Sequence, residues 1–196
     1  MKLVIMTKST FFVEEDKILT TLFDEGMDNL HLFKPGSTPL YAERLLSLIP
    51  EDYYRKITVH DHFYLKNEYD LAGIHLDSAD TEIPNNYKGK IGRTCTDIQM
   101  LKEMKKKSSC VFLKNIFDCI EFSEEKKTFT QQQLEDAADK GLIDRHVYAL
   151  GGMSLDNIRM AKTLGFGGVV ICGDLWSRFD IHNQTDFKEL IAHFEK

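Results

Sequence analysis

The chain has 196 residues, 42% of them hydrophobic, and a formal net charge of -6. That content is enough for one substantial core and marginal for two domains. The acidic balance leaves no basic face for nucleic acid, and no apolar stretch approaches the roughly 20 residues that cross a bilayer.

In chain order, short apolar runs alternate with longer amphipathic ones. Runs at Leu3–Thr7, Asn29–Phe33, Ile57–His60, Ala72–Leu76, Lys90–Arg93, Ser109–Lys114, Val147–Leu150 and Gly168–Cys172 read as strands buried on both faces, because they are continuous rather than alternating. Helical spacing marks Glu14–Glu25, Pro39–Leu48, Thr96–Lys106, Gln131–Lys140, Ser154–Leu164 and Asp186–Phe194. A weak helix candidate containing Pro84 follows Leu76, and Asp118–Thr130 reads as a charged loop. The basic run Lys102–Lys107 is the solvated end of a helix. The opening "MKLVIMTKSTFF" is a first strand, too short in its apolar part for a signal peptide. Four cysteines without a CxxC spacing predict reduced thiols in a cytoplasmic protein.

Eight strands alternating with helices predict a parallel α/β fold, a (β/α)8 TIM barrel forming a single compact domain over residues 1–196. An open doubly wound sheet would carry its glycine-rich loop after the first strand, whereas here "KSTFF" follows it. The glycines follow strands seven and eight, where barrels frequently bind phosphate. Gly151 and Gly152 admit a close approach to the main chain, the helix beginning near Ser154 adds free N–H groups, and Ile171, Cys172 and Gly173 form a second loop beside them. Asp61, Asp77 and Asp80 stand just past strands three and four. Carboxylates from neighbouring loops suit Mg²⁺, and Asp equally suits a helix N-cap. His60, His62 and His75 share that neighbourhood but read as core and loop residues rather than a transition-metal site.

The segments "ALGGMSLDN" (Ala149–Asn157), "AGIHLDSAD" (Ala72–Asp80), "IGRTC" (Ile91–Cys95) and "GVVICG" (Gly168–Gly173) resemble motifs of the thiamine phosphate synthase and TenI family over nearly the whole chain. The resemblance implies a thiamine biosynthesis enzyme, a Mg²⁺-dependent transferase in a TIM barrel. It would condense hydroxymethylpyrimidine pyrophosphate with thiazole phosphate, giving thiamine phosphate and pyrophosphate. It implies phosphate contacts at Gly152, Ile171 and Cys172, metal carboxylates at Asp61 and Asp80, and a pyrimidine contact at Thr94. It places the loop after strand six on Ser123 and Lys126. "HLFKPG" (His31–Gly36) departs from the family pattern: Phe33 and Pro35 stand where an arginine and a lysine clamp pyrophosphate, with Lys34 as partial compensation. Two alternatives follow from that departure. One is a TenI-type thiazole tautomerase, with His31 or His60 as general acid–base and Asn115 where that branch carries a histidine. The other is a non-catalytic thiazole-phosphate binder. The expected partners are small phosphorylated molecules, with no nucleic acid and no membrane. A homo-oligomer is left open.

Overall fold

A computed structural model describes residues 1–78 and 80–178. The expected helix Asp186–Phe194 lies outside the described residues. Eight parallel strands close into a barrel in sequential order: β1 (Lys2–Met6), β2 (Leu30–Leu32), β3 (Ile57–Val59), β4 (Gly73–Leu76), β5 (Lys90–Cys95), β6 (Cys110–Leu113), β7 (Val147–Ala149) and β8 (Gly168–Ile171). β8 returns to β1 through the register Val4↔Val170 and Ile5↔Ile171. The helices are α1 (Glu15–Asp24), α2 (Pro39–Leu48), α3 (Leu65–Glu68), α4 (Leu101–Lys106), α5 (Gln131–Asp139), α6 (Ile158–Thr163) and α7 (Gly173–Arg178). The fold is therefore the eight-stranded α/β barrel that the strand pattern predicts, and each predicted strand overlaps an observed one.

Burial on both faces explains the continuous apolar runs. On the outer face, Leu19, Leu22 and Phe23 of α1, Leu45 and Leu46 of α2 and Leu134 of α5 join strand residues such as Ile5, Ile57 and Val169 in one cluster. Each such side chain contributes about 1.5–3 kcal/mol on burial. α5 starts cleanly because Thr130 and Gln133 form a reciprocal capping box.

Two expectations are corrected. No helix follows β4 among the described residues: Pro84, Asn86 at φ 58° and Gly89 at φ 157° turn the chain instead. α6 begins at Ile158 rather than Ser154, because the Asn157 side chain holds the preceding turn, accepting from Ser154 N–H at 2.9 Å and donating to Gly152 O at 2.8 Å. The free N–H at Ser154 imagined for an anion is thus already used.

Inside the barrel, residues alternate with the outer face. Val4, Met6, Phe112, Tyr148 and Val170 pack together from β1, β6, β7 and β8. The side formed by β2 to β5 instead carries His31, His60, His75 and Thr94, all buried.

Candidate active site

The polar side of the interior forms one hydrogen-bonded network. His31 Nδ1 lies 2.8 Å from His60 Nε2, and His60 Nδ1 lies 2.8 Å from Asp77 Oδ2. Thr94 Oγ1 lies 3.2 Å from Asp77 Oδ1 and 2.9 Å from His75 Nε2. A carboxylate only accepts, so with neutral rings one proton arrangement satisfies every contact. His60 Nδ1–H and the Thr94 hydroxyl donate to Asp77, His31 Nδ1–H donates to His60 Nε2, and His75 Nε2–H donates to Thr94. His75 Nδ1 is left bare, and it is buried without a partner. Burial holds His31 and His75 well below the ordinary imidazole range, with His60 adding to the effect at both. Gly92 makes the arrangement possible, since a methyl group there would collide with His75 Nδ1.

Ring nitrogens of His31, His60 and His75 gather within 4.8 Å of one another. The His60 and His75 rings stack at 4.4 Å with 20° between their planes. Their in-plane lone pairs therefore run side by side instead of meeting at one ion, and hydrogen bonding accounts for the cluster.

Above the network, at the C-terminal mouth, lies a cavity of about 180 Å³. Asp77, Thr94 and Phe33 form one wall, and Gly151, Gly152, Cys172 and Gly173 another. Glu121 and the Lys114–Glu125 pair, with Nζ and Oε1 2.7 Å apart, come from the segment after β6. Asp77, Glu121, Glu125 and Lys114 carry the cavity's charge. In the sequence, Asp77 shares with Asp61 and Asp80 the reading of a metal carboxylate or N-cap, and Glu121 lies within a charged loop.

The glycines after β7 do hold positive φ, 99° at Gly151 and 60° at Gly152. What comes close to them is the chain itself: a methyl on Gly151 would meet the Asn115 backbone, and one on Gly152 the carbonyl of Asp118. Asn115 sits at φ 65°, a conformation that asparagine tolerates, with its Oδ1 buried and unpartnered. Ile171 ends β8 and is fully buried.

The other predicted residues fall in the network, in a separate buried ion pair and towards the surface. Thr94, His31 and His60 are brought together. Lys34 is enclosed at 2% exposure, its Nζ 2.6 Å from Glu15 Oε1 and 2.9 Å from Thr10 O. Burial pushes the Lys34 ammonium below its usual range and the Glu15 carboxyl above its own, although each favours the other's charge. Ser123 and Lys126 are exposed and do not line the cavity. Asp61 is half-buried, with Oδ2 enclosed and unpartnered. Asp80 is exposed, its N–H donating to Ser78 Oγ at 3.2 Å.

No protein-family model and no curated protein matches the chain. Among solved structures, a thiamine phosphate pyrophosphorylase from Bacteroides thetaiotaomicron is 44% identical, with a TM-score of 0.85 over 99% of this chain and 94% of that one. A thiamine phosphate pyrophosphorylase from Pyrococcus furiosus is 18% identical, with a TM-score of 0.73 over 99% and 95%. A 3-hexulose-6-phosphate synthase, 13% identical with a TM-score of 0.60 over 99% and 98%, shares the barrel.

Proposed function

The chain belongs to the thiamine phosphate pyrophosphorylase family, and from that premise we propose that it joins hydroxymethylpyrimidine pyrophosphate to thiazole phosphate, releasing pyrophosphate. The observation that carries this reading is the 44% identity over 99% of the chain to a pyrophosphorylase. The mouth cavity is where the substrates would meet. Gly151, Gly152, Ile171, Cys172 and Gly173 lie around the position proposed for the thiazole phosphate, and Thr94 and Asp77 face the proposed pyrimidine.

Asp61 and Asp80 would hold Mg²⁺, and the buried, unpartnered Asp61 Oδ2 fits a cation. The ion supplies charge neutralisation for departing pyrophosphate. The chain's own part is to hold two substrates in register and keep water from the reacting carbon. Lys34 is occupied by Glu15, so the proposed clamp on pyrophosphate falls to Lys126 and Ser123 on the segment after β6, which must turn inward to reach it.

A second reading rests on the His31–His60–Asp77 chain. It could carry a proton to or from a ligand in the cavity, as a thiazole tautomerase requires and a simple displacement does not.

A steady-state assay with both substrates and Mg²⁺ separates the readings. The synthase reading predicts turnover that Asp80→Ala abolishes while thiazole-phosphate binding persists. Absence of turnover in the wild type, together with deuterium exchange into the thiazole carboxylate phosphate, would replace it with the tautomerase. Binding without either activity would make the protein a non-catalytic binder.

A further inference from the structure

The segment after β6 is more than an irregular connection. Between Asp118 and Lys127 it folds on itself: Cys119 N–H donates to Glu125 O at 2.8 Å, Glu125 N–H to Phe122 O at 3.0 Å, and Lys127 N–H to Asp118 Oδ1 at 2.8 Å. At its base, Thr128 N–H donates to Asn115 O at 2.9 Å. The result is a compact lobe lying over the mouth. Among the described residues, Glu121 and the Lys114–Glu125 pair supply the hydrogen bonds that tie this lobe to the barrel.

Glu121 makes the distant contacts. Its Oε1 accepts from Ser9 N–H at 2.9 Å and from the Ser9 hydroxyl at 2.6 Å, both from the loop after β1. Its Oε2 accepts from Cys172 Sγ at 3.1 Å, just past β8. A backbone N–H, a hydroxyl and a thiol from two neighbouring loops thus converge on one carboxylate. Burial opposes the charge, yet the Ser9 and Cys172 hydrogen bonds, with Lys8 nearby, hold the Glu121 carboxyl below its usual range. Lys34 also feels its charge. Beside it, Ile120 packs so closely on Gly173 that a methyl there would clash.

The geometry points to an anion seat formed by Ser9 and Cys172 and held shut by Glu121, an internal carboxylate standing where a ligand's phosphate group would sit. This rests on the reading that a phosphorylated ligand enters beside β7 and β8, and adds Ser9 as a contact and Glu121 as the competitor. Two anions cannot share three donors in a cavity that already holds Asp77 and Glu125. A phosphate therefore displaces Glu121. Because Glu121 supplies the lobe's ties to Ser9 and Cys172, that displacement leaves the lobe held by the Lys114–Glu125 pair alone, about which it swings, which is how Ser123 and Lys126 would turn inward. Binding and opening are one event.

Titrating the full chain with inorganic phosphate tests this. Glu121→Gln removes the charge with little change of shape, and Glu121→Ala removes the latch. Both are expected to bind phosphate about tenfold tighter than the wild type, the factor set by a latch open one time in ten. Adding Ser9→Ala to Glu121→Gln should cancel much of that gain. Unchanged or weaker phosphate binding in both Glu121 variants, at an unchanged melting temperature, overturns the latch. A gain indifferent to Ser9 overturns the seat. Loss of affinity for thiamine, a thiazolium cation, in Glu121→Gln would make Glu121 a ligand contact and also overturn the proposal. Synthase turnover is scored separately: its absence with tighter phosphate binding in the variants leaves the latch standing and removes only the reaction.

Discussion

The interior of this barrel has two unlike halves. The strands β1, β6, β7 and β8 fill theirs with Val4, Met6, Phe112, Tyr148 and Val170. The side of β2 to β5 is filled with His31, His75 and Thr94 from the strands and His60 just past β3. The apolar half is held by burial and shape, and another apolar side chain of similar volume would serve it. The polar half depends on its hydrogen bonds, because each further unmet group beyond His75 Nδ1 would cost its full desolvation. One half therefore maintains the barrel, and the other maintains a fixed orientation for Asp77 at the mouth. Phe112 stands at the border, with its ring 4.9 Å from His31 and 4.2 Å from His75.

The largest test of that division is Phe112→Ala. It should cost about 3–5 kcal/mol in chemical denaturation, the usual range for a fully buried phenylalanine. It should also loosen the histidine rings, visible as broadened imidazole resonances. A loss below about 1 kcal/mol would mean that the two halves do not lean on each other. Next comes pH. Burial depresses His31 and His75 in the fold. Below about pH 6.5 the unfolded chain then takes up protons that the native barrel refuses, and stability falls as pH drops. The loss approaches about 1.4 kcal/mol per histidine per pH unit, and continues until the depressed native values are reached. Denaturation midpoints from pH 7 to 5 should show this slope, and His75→Gln should flatten it. A flat wild-type profile would refute the neutral network. The smallest effect belongs to Thr94→Val, which strands His75 Nε2 and removes one donor from Asp77. It should cost about 1–2 kcal/mol, and a stabilising outcome would show that the hydroxyl is dispensable.

The same division explains what could be read before the fold was known. The eight strands were legible because burial on both faces demands unbroken apolar runs. Thr94 was marked by the family resemblance, and His31 and His60 as acid–base candidates of its tautomerase branch. Their partnership was not, because His31 and His60 are 29 residues apart and meet only when β2 and β3 pair. Asp77 looked no different from Asp61 or Asp80 until His60 and Thr94 were seen to bond it. Lys34 looked free to bind phosphate because Glu15, 19 residues earlier, is not a local partner. The backbone freedom of Gly151 and Gly152 was legible, but the tight fit of the β6 segment against them was not. Glu121 gave no signal, since its bond to Ser9 spans 112 residues.

The bond between Asn115 O and Thr128 N, 2.9 Å long, has a consequence for how this scaffold could change. It pins the two ends of the lobe side by side, so the ten residues from Asp118 to Lys127 form a cassette set into an otherwise closed frame. Exchanging that cassette for one of another length or charge would leave strand register and core untouched while altering what covers the mouth. What covers the mouth of this barrel is thus separable from its architecture, and one short graft is the place to change it.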